Sequence, residues 1–201
     1  MMGKTHYAMG MAVAVAAMQP KDVKECVIAL SAGALGGVFA DIDIVKNDYK
    51  HDALIGQLLA YGTVGVAFVL DFFMNLGILP AIIDGMQERT LIGLGMYFIV
   101  AIVGFASKHR TFTHSFLALG LSLIAVTLIY RPFGMPYAIG YLSHLGLDLL
   151  NKKKVPLLFP KSGGICLGWC YASKSANTVF MIVGFIAIPV LIAVNMGLNS
   201  I

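Results

Sequence analysis

Charged residues are scarce in this chain of 201 residues, because Asp, Glu, Lys and Arg make up 12% of it and hydrophobic residues make up 59%. The mean hydropathy is +0.85, which excludes a soluble globular domain and a disordered chain. Period-two alternation of apolar and polar residues is lacking, which argues against a lipid-facing β-barrel. The chain has three cysteines, Cys26, Cys166 and Cys170. Their number is odd and their spacing is not that of a disulfide framework, so they imply no disulfides.

Long apolar runs fill most of the chain and are typical of membrane helices. They predict an all-α, polytopic membrane helical bundle in one domain over residues 1–201, with about five spanning helices after a short N-terminal helical hairpin. Gly33 and Gly37, at GxxxG spacing in the second hairpin helix, predict close helix packing. The hairpin helices are expected at 5–18 and 26–40, and the spanning helices at 53–70, 90–106, 113–130, 135–150 and 177–197. Asp71 then falls at the far end of the third helix, as an interfacial carboxylate or as a functional charge in the membrane.

The N-terminal stretch also has some character of a secretory signal, since Lys4 precedes an apolar run from Tyr7 to Met18. We expect it to be retained as the first helix, because the basic region is thin and the run continues into a hairpin. Cleavage would remove His6, which is important for the site described below.

A polar segment at 108–115 lies between two long apolar runs and contains two of the five histidines. Imidazole is the commonest metal ligand near neutral pH, so His109 and His114 are candidate ligands, and Arg110 could hold an anion in a bidentate grip. Thr113 is the expected N-cap of the following helix. The alternative is that both histidines are ordinary surface or core residues.

Two further pairs of residues, which include three aspartates, are also candidate metal ligands. His144 and Asp148 are four residues apart and therefore lie on one side of a helix, where both are costly to bury without a partner. Asp41 and Asp43 follow an apolar run at its C-terminal end, where the helix dipole disfavours anions. A bound cation would explain both placements; a His–Asp hydrogen bond, and the usual enrichment of Asp at helix ends, are the alternatives.

Counting helix crossings brings these residues to one membrane surface, face A, which is defined as the surface where the first helix begins and the second ends. Such a set of imidazoles and carboxylates predicts one or two divalent ions, with zinc favoured and manganese or iron as alternatives. Asp43 or Asp148 could act as a base if it is not a ligand, and Arg110 could stabilise an anionic transition state. The predicted metal ligands are His6, Asp41, Asp43, His109, His114, His144 and Asp148.

Ten basic residues fall at face A and four fall opposite, so the positive-inside rule makes face A cytoplasmic. The excess is explained by cytoplasmic loops and anionic lipid, and no nucleic-acid partner is expected. The ten are Lys4, Lys46, Lys50, Lys108, Arg110, Lys152, Lys153, Lys154, Lys161 and Lys174, and the four are Lys21, Lys24, Arg89 and Arg131.

Several short motifs together resemble those of the YdjM-like, LexA-regulated inner-membrane proteins, which are predicted metal-dependent hydrolases. They are an early histidine, His6; the Asp-x-Asp at 41–43; H-R-x-x-T-H-S at 109–115; Y-L-S-H-x-x-x-D at 141–148; and V-P-L-L-F-P at 155–160. The resemblance covers most of residues 1–160 and implies a membrane-bound metal hydrolase. The family often has Pro before the first Asp and His after the second, where this chain has Ala40 and Ile44. His51 is a candidate substitute ligand or a loop residue.

The expected function is therefore that of a membrane-bound, metal-dependent hydrolase of an ester or phosphoester, with a membrane lipid as one candidate substrate. A divalent-metal or anion transporter and a non-catalytic protein with a structural metal are the alternatives. Cys166 and Cys170, four apart, could be zinc ligands, but without further Cys or His nearby they are expected to be interfacial thiols.

Overall fold

A computed structural model describes residues 2–44, 50–84, 88–161, 163–170 and 175–197. Within these residues the fold is all-α, as predicted, and β-pairing is limited to two isolated bridges in the segment between the last two helices. Three short 3-10 helices interrupt the α-helices: η1 (Ala40–Asp43), η2 (Phe112–His114) and η3 (Arg131–Phe133). The α-helices are α1 (Gly3–Met18), α2 (Val23–Phe39), α3 (Lys50–Met74), α4 (Ile78–Asp84), α5 (Glu88–Ala106), α6 (Phe116–Ile129), α7 (Gly134–Leu150) and α8 (Ser175–Gly197).

Four segments of the described chain are long and apolar enough to cross a membrane: 23–43, 51–74, 88–106 and 175–197. The helices that are long enough to span a membrane differ in part from those that the sequence predicted. The second helix, assigned to the hairpin, reaches 21 residues when η1 is included. Conversely, α6 and α7 have 14 and 17 residues, so they are shorter than the roughly 20 residues that a span needs.

Glycine allows α1, α2 and α7 to pack at backbone contact, as the GxxxG spacing predicted. A Cβ added at Gly37 would lie 2.5 Å from the carbonyl oxygen of His6, and one added at Gly33 would lie 2.8 Å from that of Gly10. On the other side, a Cβ at Gly36 would lie 2.0 Å from the carbonyl oxygen of Tyr137 in α7. These contacts leave no room for larger residues, and they bring the histidine of α1 close to that of α7.

The helices α3, α5 and α8 surround this inner group and expose large apolar side chains. Phe98 and Ile102 of α5 are 62% and 66% exposed, and Val179 and Ile186 of α8 are 56% and 60% exposed. Such an outward apolar surface would be unfavourable in water but suits hydrocarbon.

Asp71 has a structural role at the end of α3 that lies farthest from η1. Its side chain is buried and accepts hydrogen bonds from the backbone N–H groups of Ile78 (2.8 Å) and Leu79 (2.6 Å). These are among the free donors at the start of α4, so the carboxylate satisfies a helix N-terminus.

Part of the charge pattern cannot be located. Lys46 and Lys174, and the side chain of Lys50, lie outside the described residues. Lys108 and Arg89 lie at opposite ends of α5, as the crossing count requires, and both are exposed.

Candidate metal centre

The structure brings all seven predicted ligand residues into one connected cluster. His6 comes from α1, Asp41 and Asp43 from η1, His109 from the α5–α6 connection, His114 from η2, and His144 and Asp148 from α7. The cluster contains three overlapping groups of three, in each of which one candidate ligand atom per residue lies within 4.8 Å of the others. The groups are His6–His144–Asp148, Asp41–His114–His144 and Asp43–His109–His114.

Five of these side chains form an inner cluster: His6, Asp41, His114, His144 and Asp148. The Nε2 atoms of His114 and His144 are 3.4 Å apart, and Asp41 Oδ1 lies 3.8 Å and 3.6 Å from them, respectively. Asp148 places Oδ2 3.4 Å from His114 Nε2 and Oδ1 3.5 Å from His6 Nε2. All five are at most 3% exposed. Nitrogen and oxygen atoms that converge at such distances form a site suited to a cation.

A backbone contact sets the tautomer of His144. Its Nδ1 donates a hydrogen bond of 2.7 Å to the carbonyl oxygen of Gly37, which is available because α2 and α7 pack so closely. The proton is therefore on Nδ1, and the lone pair of Nε2 points toward Asp41 and His114. A donor contact on the far ring nitrogen is the usual arrangement for a metal-bound histidine.

Thr113 supports His114 and is not the N-cap that the sequence predicted. Ser115 caps α6 instead, since its Oγ accepts from the N–H of Ala118. Thr113 lies inside η2, where its hydroxyl donates to Asp43 Oδ2 at 2.7 Å and lies 3.1 Å from His114 Nδ1. The prediction failed because the chain makes a 3-10 turn before the helix, which moves the cap by two residues.

Asp43 is bound on all sides by protein donors. It accepts from the Thr113 hydroxyl, from the backbone N–H of Arg110 at 3.0 Å, and from His109, whose Nδ1 is 2.7 Å from Oδ1. It also lies 3.6 Å from His114 Nδ1, the ring nitrogen that faces away from the inner cluster. This geometry fits a carboxylate that orients two histidines better than a free base.

Arg110 joins two of the three acidic residues of the site, Asp43 and Asp148. It has a left-handed backbone, with φ of 61°, which is uncommon for a non-glycine residue. Its N–H thus points at Asp43, while Nη2 lies 2.6 Å from Asp148 Oδ2 and Nη1 donates to the carbonyl oxygen of Lys153 at 3.1 Å. The guanidinium that was expected to grip an anion is therefore engaged with Asp148.

The inner cluster contains buried polar atoms that make no hydrogen bond. Both ring nitrogens of His6 and the Oδ2 of Asp41 are buried without hydrogen-bond partners. The His6 ring stacks on that of His144, with centroids 3.6 Å apart. Buried polar atoms are rarely left unpaired, so the donor set and its missing partners fit a divalent cation.

His114 lies in η2, outside the candidate spans, and its pKa is raised above the ordinary value. Burial lowers its pKa, but contacts with Asp148 and Asp43 outweigh this and raise the pKa to about 9. Without metal the ring is therefore an imidazolium at neutral pH. Its acidic partners hold it in charged form at the place where a cation would replace the proton.

Two other candidates are not part of the centre. The side chain of His51 is exposed in the first turn of α3 and belongs to none of the three groups found among the described residues. Cys166 and Cys170 are likewise in none of these groups, and the Cys170 thiol donates to the carbonyl oxygen of Leu150 at 3.5 Å.

Sequence reasoning missed several contributors that act through neutral groups. Three such groups contact candidate ligands. The Gly37 carbonyl accepts from His144, and the Thr113 hydroxyl donates to Asp43. Gln57 Nε2 donates to the backbone oxygen of Asp41 at 3.1 Å. Tyr141 also donates from its hydroxyl to the carbonyl oxygen of Thr113. Only the closeness of Thr113 and Tyr141 to the histidine motifs could have indicated a role.

One protein family, described as YdjM inner membrane protein, has a model that matches residues 1–200. No curated protein and no solved structure matches the chain. The match extends beyond residue 160, where the resemblance of the short motifs ended, and therefore includes α8.

Proposed function

Because the chain belongs to the YdjM inner membrane protein family, we propose that it is a membrane-bound, metal-dependent hydrolase of esters or phosphoesters. We further propose that residues 1–201 form one integral, multi-pass domain with its metal centre at the cytoplasmic face. The observation that carries the proposal is the inner cluster, in which the Nε2 atoms of His114 and His144 converge with two carboxylates and with unpaired atoms of His6 and Asp41.

His6, Asp41, His114, His144 and Asp148 would hold one divalent ion, with zinc favoured by the three imidazoles. When bound, such an ion lowers the pKa of a water molecule and polarises a phosphoryl or acyl oxygen. A second ion at Asp43, His109 and His114 is the alternative to the orienting role of Asp43, since those residues form the third group.

The remaining residues divide the other tasks. Asp43 would hold His114 and His109 in place through its contacts with both rings. Asp148 would either complete the ligand set or accept a proton from the attacking water. Arg110 would break its ion pair with Asp148 by turning toward a substrate anion. Access would come from the side of His109 and Arg110, whose side chains are 26% and 11% exposed, whereas those of the three inner histidines are fully buried.

The first test is the metal content of purified protein, followed by turnover of phosphoester and carboxylester substrates. We expect bound zinc, manganese or iron in the wild type, and metal-dependent hydrolysis that is lost in His144→Ala and Asp148→Asn. His51→Ala is the matched control because it removes an exposed histidine outside the centre, and it should behave as the wild type.

Two other outcomes would select the alternatives. Metal-dependent uptake into sealed vesicles without any turnover would favour a transporter. A metal that raises the melting temperature but supports neither turnover nor uptake would favour a structural ion, which the complete burial of the inner histidines would suit. A folded protein that binds no metal would refute the metal-dependent hydrolase, the divalent-metal transporter and the structural ion.

A further inference from the structure

A groove of about 410 Å³ lies between α3 and α5. Its volume falls in the range of small-molecule pockets. Apart from Gln57 and the hydroxyl of Tyr61, its walls are hydrocarbon. The lining residues used below are Ile42, Gln57, Tyr61, Phe98, Ala101, Phe105 and Ala106.

The groove occupies the half of each helix that lies next to the metal centre. On α5 it runs from Phe98 to Ala106, eight residue steps that rise about 12 Å, and three residues later the chain reaches His109. On α3 it begins at Gln57, near the start of the helix. A bilayer leaflet is about 15 Å deep in hydrocarbon, so the groove has roughly the depth of one leaflet, measured from face A.

The groove is open toward the surroundings of the bundle. Tyr61, Phe98 and Phe105 are 55%, 62% and 62% exposed. Both helices are candidate membrane spans, of which only 22% of the most apolar window is buried. Since the medium beside two such helices is hydrocarbon, the occupant that fits is an acyl chain and not a soluble apolar ligand.

The inner end of the groove is connected to the metal centre through Ile42 and Gln57. Ile42 lies between Asp41 and Asp43, and Gln57 donates to the Asp41 backbone. A Cβ added at Gly104 would lie 2.9 Å from Ile42 Cδ1 and 2.8 Å from Thr113 Cγ2. Ile42 of the groove wall and Thr113, which holds Asp43, therefore both lie against Gly104.

We propose that this groove binds one acyl chain of a bilayer phospholipid and that it places the headgroup phosphoester at the metal centre. The substrate class is then a membrane lipid phosphoester that enters sideways from the cytoplasmic leaflet. This inference rests on the proposed function for its chemistry, but the binding of the chain can be tested separately.

The test uses full-length protein in vesicles that contain a phospholipid with a photoactivatable group in its acyl chain. We expect cross-links in residues 57–61 and 98–106, mapped by mass spectrometry. Ala101→Trp, which fills the groove, should reduce them at least tenfold, and Ala106→Leu should give a smaller loss. Ile99→Trp is the matched control on the lipid-facing surface of α5 outside the groove. Circular dichroism of each variant reports on whether it is folded.

A second measurement connects the groove to the reaction. Wild-type protein should turn over a long-chain phosphoester lipid at least tenfold better than a short-chain lipid with the same headgroup, and Ala101→Trp should abolish this preference. Cross-links spread evenly along the outer surface of α5, or unchanged in Ala101→Trp, would overturn the proposal. If the wild type hydrolyses nothing, the proposed function fails, and the cross-linking pattern alone decides whether the groove binds an acyl chain.

Discussion

Replacing His114 with alanine should weaken metal binding more than replacing any other histidine except His144. His114 belongs to two of the three candidate groups, as does His144, whereas His6 and His109 belong to one each. His114→Ala therefore leaves only His6, His144 and Asp148 as a complete group. The ranking of the histidine variants thus follows from how the groups share residues.

The magnitude can be estimated from the energetics of zinc sites. Such sites bind with roughly 10–16 kcal/mol, shared among about four ligands, or roughly 2.5–4 kcal/mol for each ligand. Since about 1.4 kcal/mol corresponds to a factor of ten, loss of one ligand lowers the affinity by roughly two to three orders of magnitude. His109→Ala should cost about 10- to 100-fold at most, because that residue contacts the ion's ligands through Asp43.

The assay is competition for zinc between detergent-solubilised protein and a chromophoric chelator, at fixed pH and with circular dichroism as a check of folding. His51→Ala provides the baseline for loss of a histidine outside the centre. If His114→Ala and His51→Ala bound zinc equally well, the inner cluster would not be the metal site. If His109→Ala abolished one of two bound ions, Asp43 would be a ligand and not an orienting group.

Four further predictions follow from other features of the structure. Thr113→Val removes the hydroxyl that bonds Asp43 and should lower zinc affinity about 10-fold. Thr111→Val, which removes a hydroxyl that donates to the Lys108 carbonyl oxygen, should leave the affinity unchanged, and equal affinities of the two variants would refute a supporting role for Thr113. Because the pKa of His114 is about 9, its ring must lose a proton before it can bind a metal. The affinity for zinc should therefore rise by up to about tenfold per pH unit below pH 9 and level off above it. Calorimetry that shows no such rise would contradict the assignment of His114 as a ligand. A Cβ at Gly140 would lie 2.3 Å from the Gly33 carbonyl oxygen, whereas a Cβ at Gly146 would meet nothing within 4 Å. Gly140→Ala should therefore destabilise the fold by about 1–3 kcal/mol, and Gly146→Ala should not, which thermal unfolding of the two variants can check. In a background without native cysteines, Lys108→Cys should react with a membrane-impermeant reagent only from the cytoplasmic side and Arg89→Cys only from the opposite side, and the reverse pattern would place the centre outside the cytoplasm.

The gathering of the site could be predicted from chain order because membrane helices alternate direction. His144 is far from His6 in sequence, but counting ends placed both at face A without knowledge of any contact, and their rings prove to be stacked. The same counting was less successful in choosing the helices that span. It assigned spans to residues 113–130 and 135–150, but α6 and α7 have 14 and 17 residues. Helix α7 is packed among α1, α2 and α6, where burial in protein can replace burial in lipid.

The different environments of Asp41 and Asp43 could not have been predicted, because they depend on how the chain leaves α2. A 3-10 helix turns about 120° per residue, so two residues separated by one position project about 240° apart. In η1 this directs Asp41 toward the histidines of η2 and α7, where its Oδ2 remains unpaired. It directs Asp43 toward the loop at His109, where protein donors saturate it. The Asp-x-Asp motif predicted both residues as metal ligands, but the 3-10 turn directs one carboxylate to the inner cluster and the other to protein donors.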